Sequence, residues 1–220
     1  MSHIMDDKME NKEQKMTKPD EKGSIQVEGH IKIFDPKTNE VFVDKRNAIH
    51  YENMSEALAL SLADKTTGFI HEMHFGNGGT SVDTTGIITY LPANNTGAGA
   101  DLYNATYYKV VDNNSSLNTD PTRNKIDIRH TPGLIYTDIL VTCLLDYGEP
   151  AGQEAFDNSV NLDGDFVFDE LGLKSWTGEA GLGNLLTHVI FHPVQKSLNR
   201  LIQIDYTVRI QTLTNLGSIA

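Results

Sequence analysis

Residues 202–211, Ile-Gln-Ile-Asp-Tyr-Thr-Val-Arg-Ile-Gln, alternate without a break. Ile202, Ile204, Tyr206, Val208 and Ile210 fall on one side. Gln203, Asp205, Thr207, Arg209 and Gln211 fall on the other. A period of two predicts a strand with one buried face and one wet face, the pattern of an antiparallel sheet. The same alternation recurs upstream. "SIQVEGHIKIF" sets Ile25, Val27, Ile31 and Ile33 against polar neighbours, "DPKTNE" turns the chain, and "VFVD" returns, so residues 24–44 read as a hairpin. "GFIHEMHF", "GIITYL", "ATYYKVV", "KIDIRH", "TDILVTCLLDY", "DFVFDEL" and "LLTHVIFH" are further strands. One segment breaks the pattern. "NMSEALALSLAD" predicts a helix capped by Asn53, with Glu56 completing the capping box and Met54, Leu58 and Leu62 on one face. The expected fold is mainly β, an antiparallel β-sandwich of nine or ten strands with one short α-helix.

Residues 1–23 stand apart. They hold six acids, five lysines, no aromatic residue and four of the chain's six methionines. Such a segment does not form a core of its own. It reads as a polar N-terminal arm before a β-sandwich domain at 24–220, with Met5, Met9 and Met16 as a soft apolar stripe for contact with a neighbouring subunit. The chain has 18 Lys and Arg against 30 Asp and Glu, a net charge of −12. That balance gains nothing from phosphate backbones or anionic lipid, so neither nucleic acid nor membrane is expected as a partner. Between Arg129 and Lys174 no Lys or Arg occurs, and the acids there predict a solvated acidic rim. No 18-residue apolar run is present and the N-terminus lacks the apolar core of a signal peptide. With Cys143 as its one cysteine, the chain forms no internal disulfide. A soluble protein made in a cytoplasm is the expectation.

Four stretches invite a chemical reading. In "HEMH", His71, Glu72 and His74 suggest a zinc hydrolase, but the histidines are three apart on a strand and point to opposite faces. In "GNGGT", Gly76, Gly78 and Gly79 are followed by neither Lys nor helix, so a phosphate loop is not expected. A tight reversal using positive φ explains them better. "SVNLDGDFVFDE" places Ser159, Asn161, Asp163, Gly164 and Glu170 at calcium-loop positions, though the flanks are not helical and an Asp-Gly turn fits better. Trp176, Tyr103, Tyr107 and Tyr108 are candidate stacking groups for a glycan. Cys143 lies in an apolar strand, where a buried thiol is ordinary. The eight histidines stand in no recognisable register with a nucleophile. No catalytic residue, cofactor or metal is expected, and the chain reads as a non-enzyme.

The order of segments resembles virion structural proteins of tailed bacteriophages. The similar pieces are an N-A-I after a short hairpin, a helix, a strand ending in "FGNGGT", an "ELGL" segment, and a closing F-x-P-x-x-K with Y-T-V-R-I. They run over residues 28–210. The resemblance implies a virion location, as an oligomeric adaptor or a collar or baseplate component of tail or neck. A capsid decoration protein or a receptor- or glycan-binding module of a tail fibre are its other forms. It implies other copies of the chain and other virion proteins as partners, and it carries over no catalytic residue.

Overall fold

A computed structural model describes residues 23–150, 166–197 and 199–214. Strand makes up 51% of the described residues and helix 7%, so the mainly β reading holds. The strands are β1 (Gly23–Phe34), β2 (Val41–Ile49), β3 (Ile70–Gly76), β4 (Thr80–Val82), β5 (Ile88–Tyr90), β6 (Ala105–Val110), β7 (Lys125–His130), β8 (Tyr136–Leu145), β9 (Phe166–Ser175), β10 (Thr187–Lys196) and β11 (Ile202–Thr214). The helix α1 spans Tyr51–Leu62. Every strand of the sequence reading is present, and β4 is an addition: three residues that pair with β5 and with no other strand.

Nine strands form one antiparallel sheet in the order β6-β3-β9-β10-β2-β1-β11-β8-β7. The sheet curls at its thinnest point. There β10 and β2 share only two register pairs, Thr187 with Ile49 and His188 with Ala48. Beyond that seam β10 bulges between Ile190 and Val194, where Pro193 has no N–H to give to the ladder. The curl brings a small leaf (β6, β3, β9, β10) over a large leaf (β2, β1, β11, β8, β7), and a sandwich-like core closes between them.

The alternation of β11 works as the sequence implies through Val208, while Ile210 is half-buried. Ile202, Ile204, Tyr206 and Val208 are buried between the leaves, beside Ile31 and Ile33 of β1 and Val141, Cys143 and Leu145 of β8. The small leaf answers with Met73, Phe75, Phe168, Leu171, Leu173, Val189 and Phe191. Phe168 is the hinge pin of this layer. Its ring meets Phe75 edge-on at 5.5 Å and Phe191 edge-on at 5.7 Å.

The helix differs from expectation in its cap and its face. His50, not Asn53, is the N-cap: its Nδ1 accepts the N–H of Asn53 at 3.2 Å. Asn53 lies inside the first turn, buried, and its Nδ2 donates to the carbonyl of Leu185. Met54 and Ala57 are buried with Ile49 and Leu186 in a small satellite core, and Leu58 packs partly against it. Leu62 is 83% exposed. The satellite core ends at Leu58, so the last turn has no apolar surface to cover.

The proposed arm falls outside the described residues, together with Met5, Met9 and Met16. Gly23 already belongs to β1, paired with Thr214. No helix among the described residues is long and apolar enough to cross a membrane.

Candidate functional site

The outer face of the small leaf carries polar residues where an exposed sheet would meet water. On β3 these are Glu72 and His74; on β9, Glu170 and Lys174; on β10, His188. All five are buried, because residues 77–104 and 177–184 fold over them. A buried charge needs partners, and each finds them locally.

Glu170 is fully buried and accepts four hydrogen bonds. Gly78 N–H (3.0 Å) and Asn104 N–H (2.8 Å) reach Oε1. Tyr103 N–H (2.9 Å) and His188 Nε2 (3.0 Å) reach Oε2. His188 Nδ1 accepts the N–H of Asn94 at 2.8 Å, which places the ring proton on Nε2, facing the carboxylate. Burial pushes the Glu170 carboxyl up, but the donors from His188, Asn104, Tyr103 and Gly78 outweigh it and hold the group below its ordinary value. Next to it, Asp169 accepts Gly79 N–H (2.9 Å), Thr80 N–H (2.8 Å) and the Thr80 hydroxyl. Here burial wins, helped by the neighbouring Glu170 charge, and the Asp169 carboxyl is raised. Lys174 closes the row with an ion pair to Asp101 at 2.7 Å. Three residues of β9 therefore pin both ends of the segment that crosses the face.

The glycines of "GNGGT" follow from this pinning. None of Gly76, Gly78 and Gly79 has positive φ, contrary to the sequence reading. They are needed for close approach. A Cβ on Gly76 would stand 2.5 Å from the carbonyl oxygen of Asn104, and one on Gly78 would stand 2.8 Å from its nitrogen.

His71, Glu72 and His74 do come together, and the expected alternation is what fails. A bulge between Ile70 and Glu72 breaks the period of two. Both imidazoles then reach one carboxylate: His71 Nδ1 lies 3.2 Å from Oε1 and His74 Nε2 lies 2.8 Å from Oε2. The N–H of Gly181 donates to both oxygens, at 2.9 and 3.0 Å. Burial pushes Glu72 up, but the hydrogen bonds from His74 and Gly181 prevail and lower it. Burial also lowers His74, against the pull of Glu72, so the pair is a carboxylate beside a neutral imidazole. His74 stacks on Tyr108 at 5.2 Å, and His71 packs against Trp176 at 4.4 Å. The Nε2 of His71 meets the hydroxyl of Ser115 at 3.1 Å. Among the described residues no three His, Cys, Asp or Glu side chains are arranged to hold a metal ion.

The remaining candidates separate. Tyr107 is no surface platform; it packs on the core beside Phe75, and burial, then the Glu149 charge, raise its phenol. Tyr103 and Tyr108 stay at the surface, while Trp176 is half-buried. Cys143 is fully buried, which pushes its thiol up to about 12. Of the calcium-loop positions, residues 159–164 lie outside the described residues, and Glu170 has both oxygens taken by protein donors. Of the acids expected to form a solvated rim, Glu154, Asp157, Asp163 and Asp165 lie outside the described residues, and the described ones are paired or buried. Asp138 is held by Arg209, Asp146 by Arg123, Glu149 by Lys109, and Asp169 and Glu170 are buried. The bases are distant in sequence, so the pairing appears only on folding. Sequence reasoning missed Asp169, His188 and Ser115. For the first, the pair of acids inside the apolar run "FVFDELGL" was the available signal.

A second feature lies at one end of the core. A pocket of about 500 Å³, mostly apolar, opens between α1 (Met54, Leu58), Phe69 and the first residue of β3, Ile70, and β7 (Ile126, Ile128). Around that end Ile25, Ile128 and Ile135 are exposed by 58%, 64% and 58%. Comparison of the chain with protein-family models, with curated proteins and with solved structures finds no match.

Proposed function

We propose that this chain is a structural subunit of a tailed-bacteriophage virion, an oligomeric adaptor or a collar or baseplate component of the tail or neck. The observation that carries the reading is how the segments behind the resemblance sit in the fold. "FGNGGT" and "ELGL" are distant in sequence, yet Asp169 and Glu170 bind the N–H groups of Gly78, Gly79 and Thr80. The N-A-I segment ends β2 and meets β10, the strand that carries F-x-P-x-x-K, at the seam. The closing strand β11 lies within the large leaf, between β1 and β8. These segments pack as parts of one framework, which supports reading the resemblance as one of the body that an assembly is built from.

Two further features support assembly. Exposed Ile25, Ile128 and Ile135 offer apolar surface at one end of the molecule, of the kind that subunit contacts cover. In the same reading the arm expected from the sequence, with Met5, Met9 and Met16, supplies a second contact with an adjacent copy. In a closed ring each modest contact is reinforced by the others.

Sedimentation velocity on the full chain, beside a chain starting at Ser24, tests this. A discrete oligomer that dissociates without the arm is expected. A monomer at every concentration in both proteins would overturn the self-assembling subunit.

A further inference from the structure

The outer-face network contains one arrangement that pinning the overlying loops does not require. Ser115 stands in the turn after β6, 44 residues from His71, with its Oγ 3.1 Å from His71 Nε2. On the other side of the ring, Nδ1 lies 3.2 Å from Oε1 of Glu72. Glu72 is 1% exposed and ionised by its donors. An ionised carboxylate only accepts, so the ring proton sits on Nδ1 and Nε2 presents its lone pair to the serine. Leu117 N–H donates to the same Oγ at 3.2 Å, which fixes the oxygen and leaves its own proton for the imidazole. The N–H of Ser116 makes no backbone bond to the described residues. It follows Ser115 directly, where the residue after a nucleophile donates to an oxyanion. The lining of the apolar pocket includes Asn113 and Asn114, just before Ser115 in the chain, and Phe69 and Ile70, just before His71, while Ser115 and His71 themselves stand behind it.

We propose that Ser115 and His71 form a hydrolytic nucleophile and general base, with Glu72 as positioning residue, acting on carboxylic esters whose acyl group is apolar. The pocket takes the acyl chain. Ser115 Oγ attacks the carbonyl carbon as its proton passes to His71 Nε2, and the carbonyl oxygen becomes an oxyanion facing Ser116 N–H. Collapse breaks the bond to the alcohol oxygen, which leaves with the proton from His71. Water then attacks the acyl-serine and gives a proton to His71. The second collapse frees the acid and returns the proton to Ser115. Ester and water become acid and alcohol, with no electron gained or lost. Glu72 keeps its charge throughout and holds the ring against the serine. The site adds an activity to a subunit whose framework serves assembly.

The test uses the full chain, a fluorophosphonate probe read by peptide mapping, and p-nitrophenyl butyrate as substrate. A phosphonyl adduct on Ser115 is expected, with butyrate release falling by at least about 100-fold in Ser115→Ala. That variant removes one half-buried hydroxyl and is checked for folding by its circular dichroism. Per site titrated with the probe, Glu72→Gln slows acylation by about 10-fold or more, a change that loss of folded protein alone does not produce. Absence of an adduct on Ser115, an adduct on Ser116 in its place, or ester release unchanged in Ser115→Ala overturns the relay and leaves the assembly reading as it stands.

Discussion

Glu170 shows how a single buried side chain organises this protein. Its two oxygens accept from three backbone N–H groups and one imidazole, and every donor comes from a different residue of the chain. Glu170→Gln keeps the shape but turns an NH₂ toward N–H donors. The loss of a satisfied buried charge predicts a destabilisation of about 2–4 kcal/mol in chemical denaturation. Acid acts on the same groups. Glu72 and Glu170 are held below the ordinary value of 4.5, so as pH falls the unfolded chain takes up protons first. Their contribution is complete above about 4.5 and declines as pH falls through the lowered folded values. Asp169, which is raised, works in the opposite sense over its own range. The denaturation midpoint is therefore expected to drop between pH 6 and pH 3, and to drop less in Glu170→Gln. An equal drop in both proteins would remove Glu170 from the acid response.

Among the elements, bulges and caps decide which residues meet. The bulge in β3 turns His71 and His74 onto one carboxylate, and the bulge in β10 lets the strand pass Pro193 without losing its pairing to β9. The helix offers a direct comparison of two residues that the sequence treats alike. Met54 is 6% exposed and packs on Ile49 and Leu186; Leu62 is 83% exposed. Met54→Ala is expected to cost about 2–4 kcal/mol by the loss of buried contacts. Leu62→Ser is expected to stay within about 0.5 kcal/mol. Equal costs in urea unfolding would mean that the helix packs by a different face.

For the whole molecule, one core joins two leaves across a seam of two register pairs. So little pairing does not hold the leaves together; the shared apolar layer does. Phe168 touches Phe75 and Phe191 within the small leaf and lies in the same buried cluster as Ile204 and Val141 of the large one. Phe168→Ala is expected to cost about 3–5 kcal/mol. Because the layer is common, the two leaves are expected to unfold in one transition, with fluorescence and circular dichroism falling together in the variant as in the parent. Separate transitions would show that the seam, and not the core, couples them.

Local periodicity was enough to read every strand but the three-residue β4, the single helix and most of the buried side of β11 straight from the chain. Burying one face of a strand leaves the same trace wherever the strand is placed. The carboxylate latch also left a mark, since Asp169 and Glu170 interrupt an apolar run. The rest came only with folding. Asp138, Asp146 and Glu149 look unpaired in sequence because their bases, Arg209, Arg123 and Lys109, arrive from other parts of the chain. Gly76 and Gly78 serve close approach, which depends on Asn104 in a distant segment. Ser115 meets His71 across 44 residues, and nothing in the spacing of either announces it. A pattern along the chain records which side of an element is buried. It does not record which other segment the sheet, once curled, brings to that side.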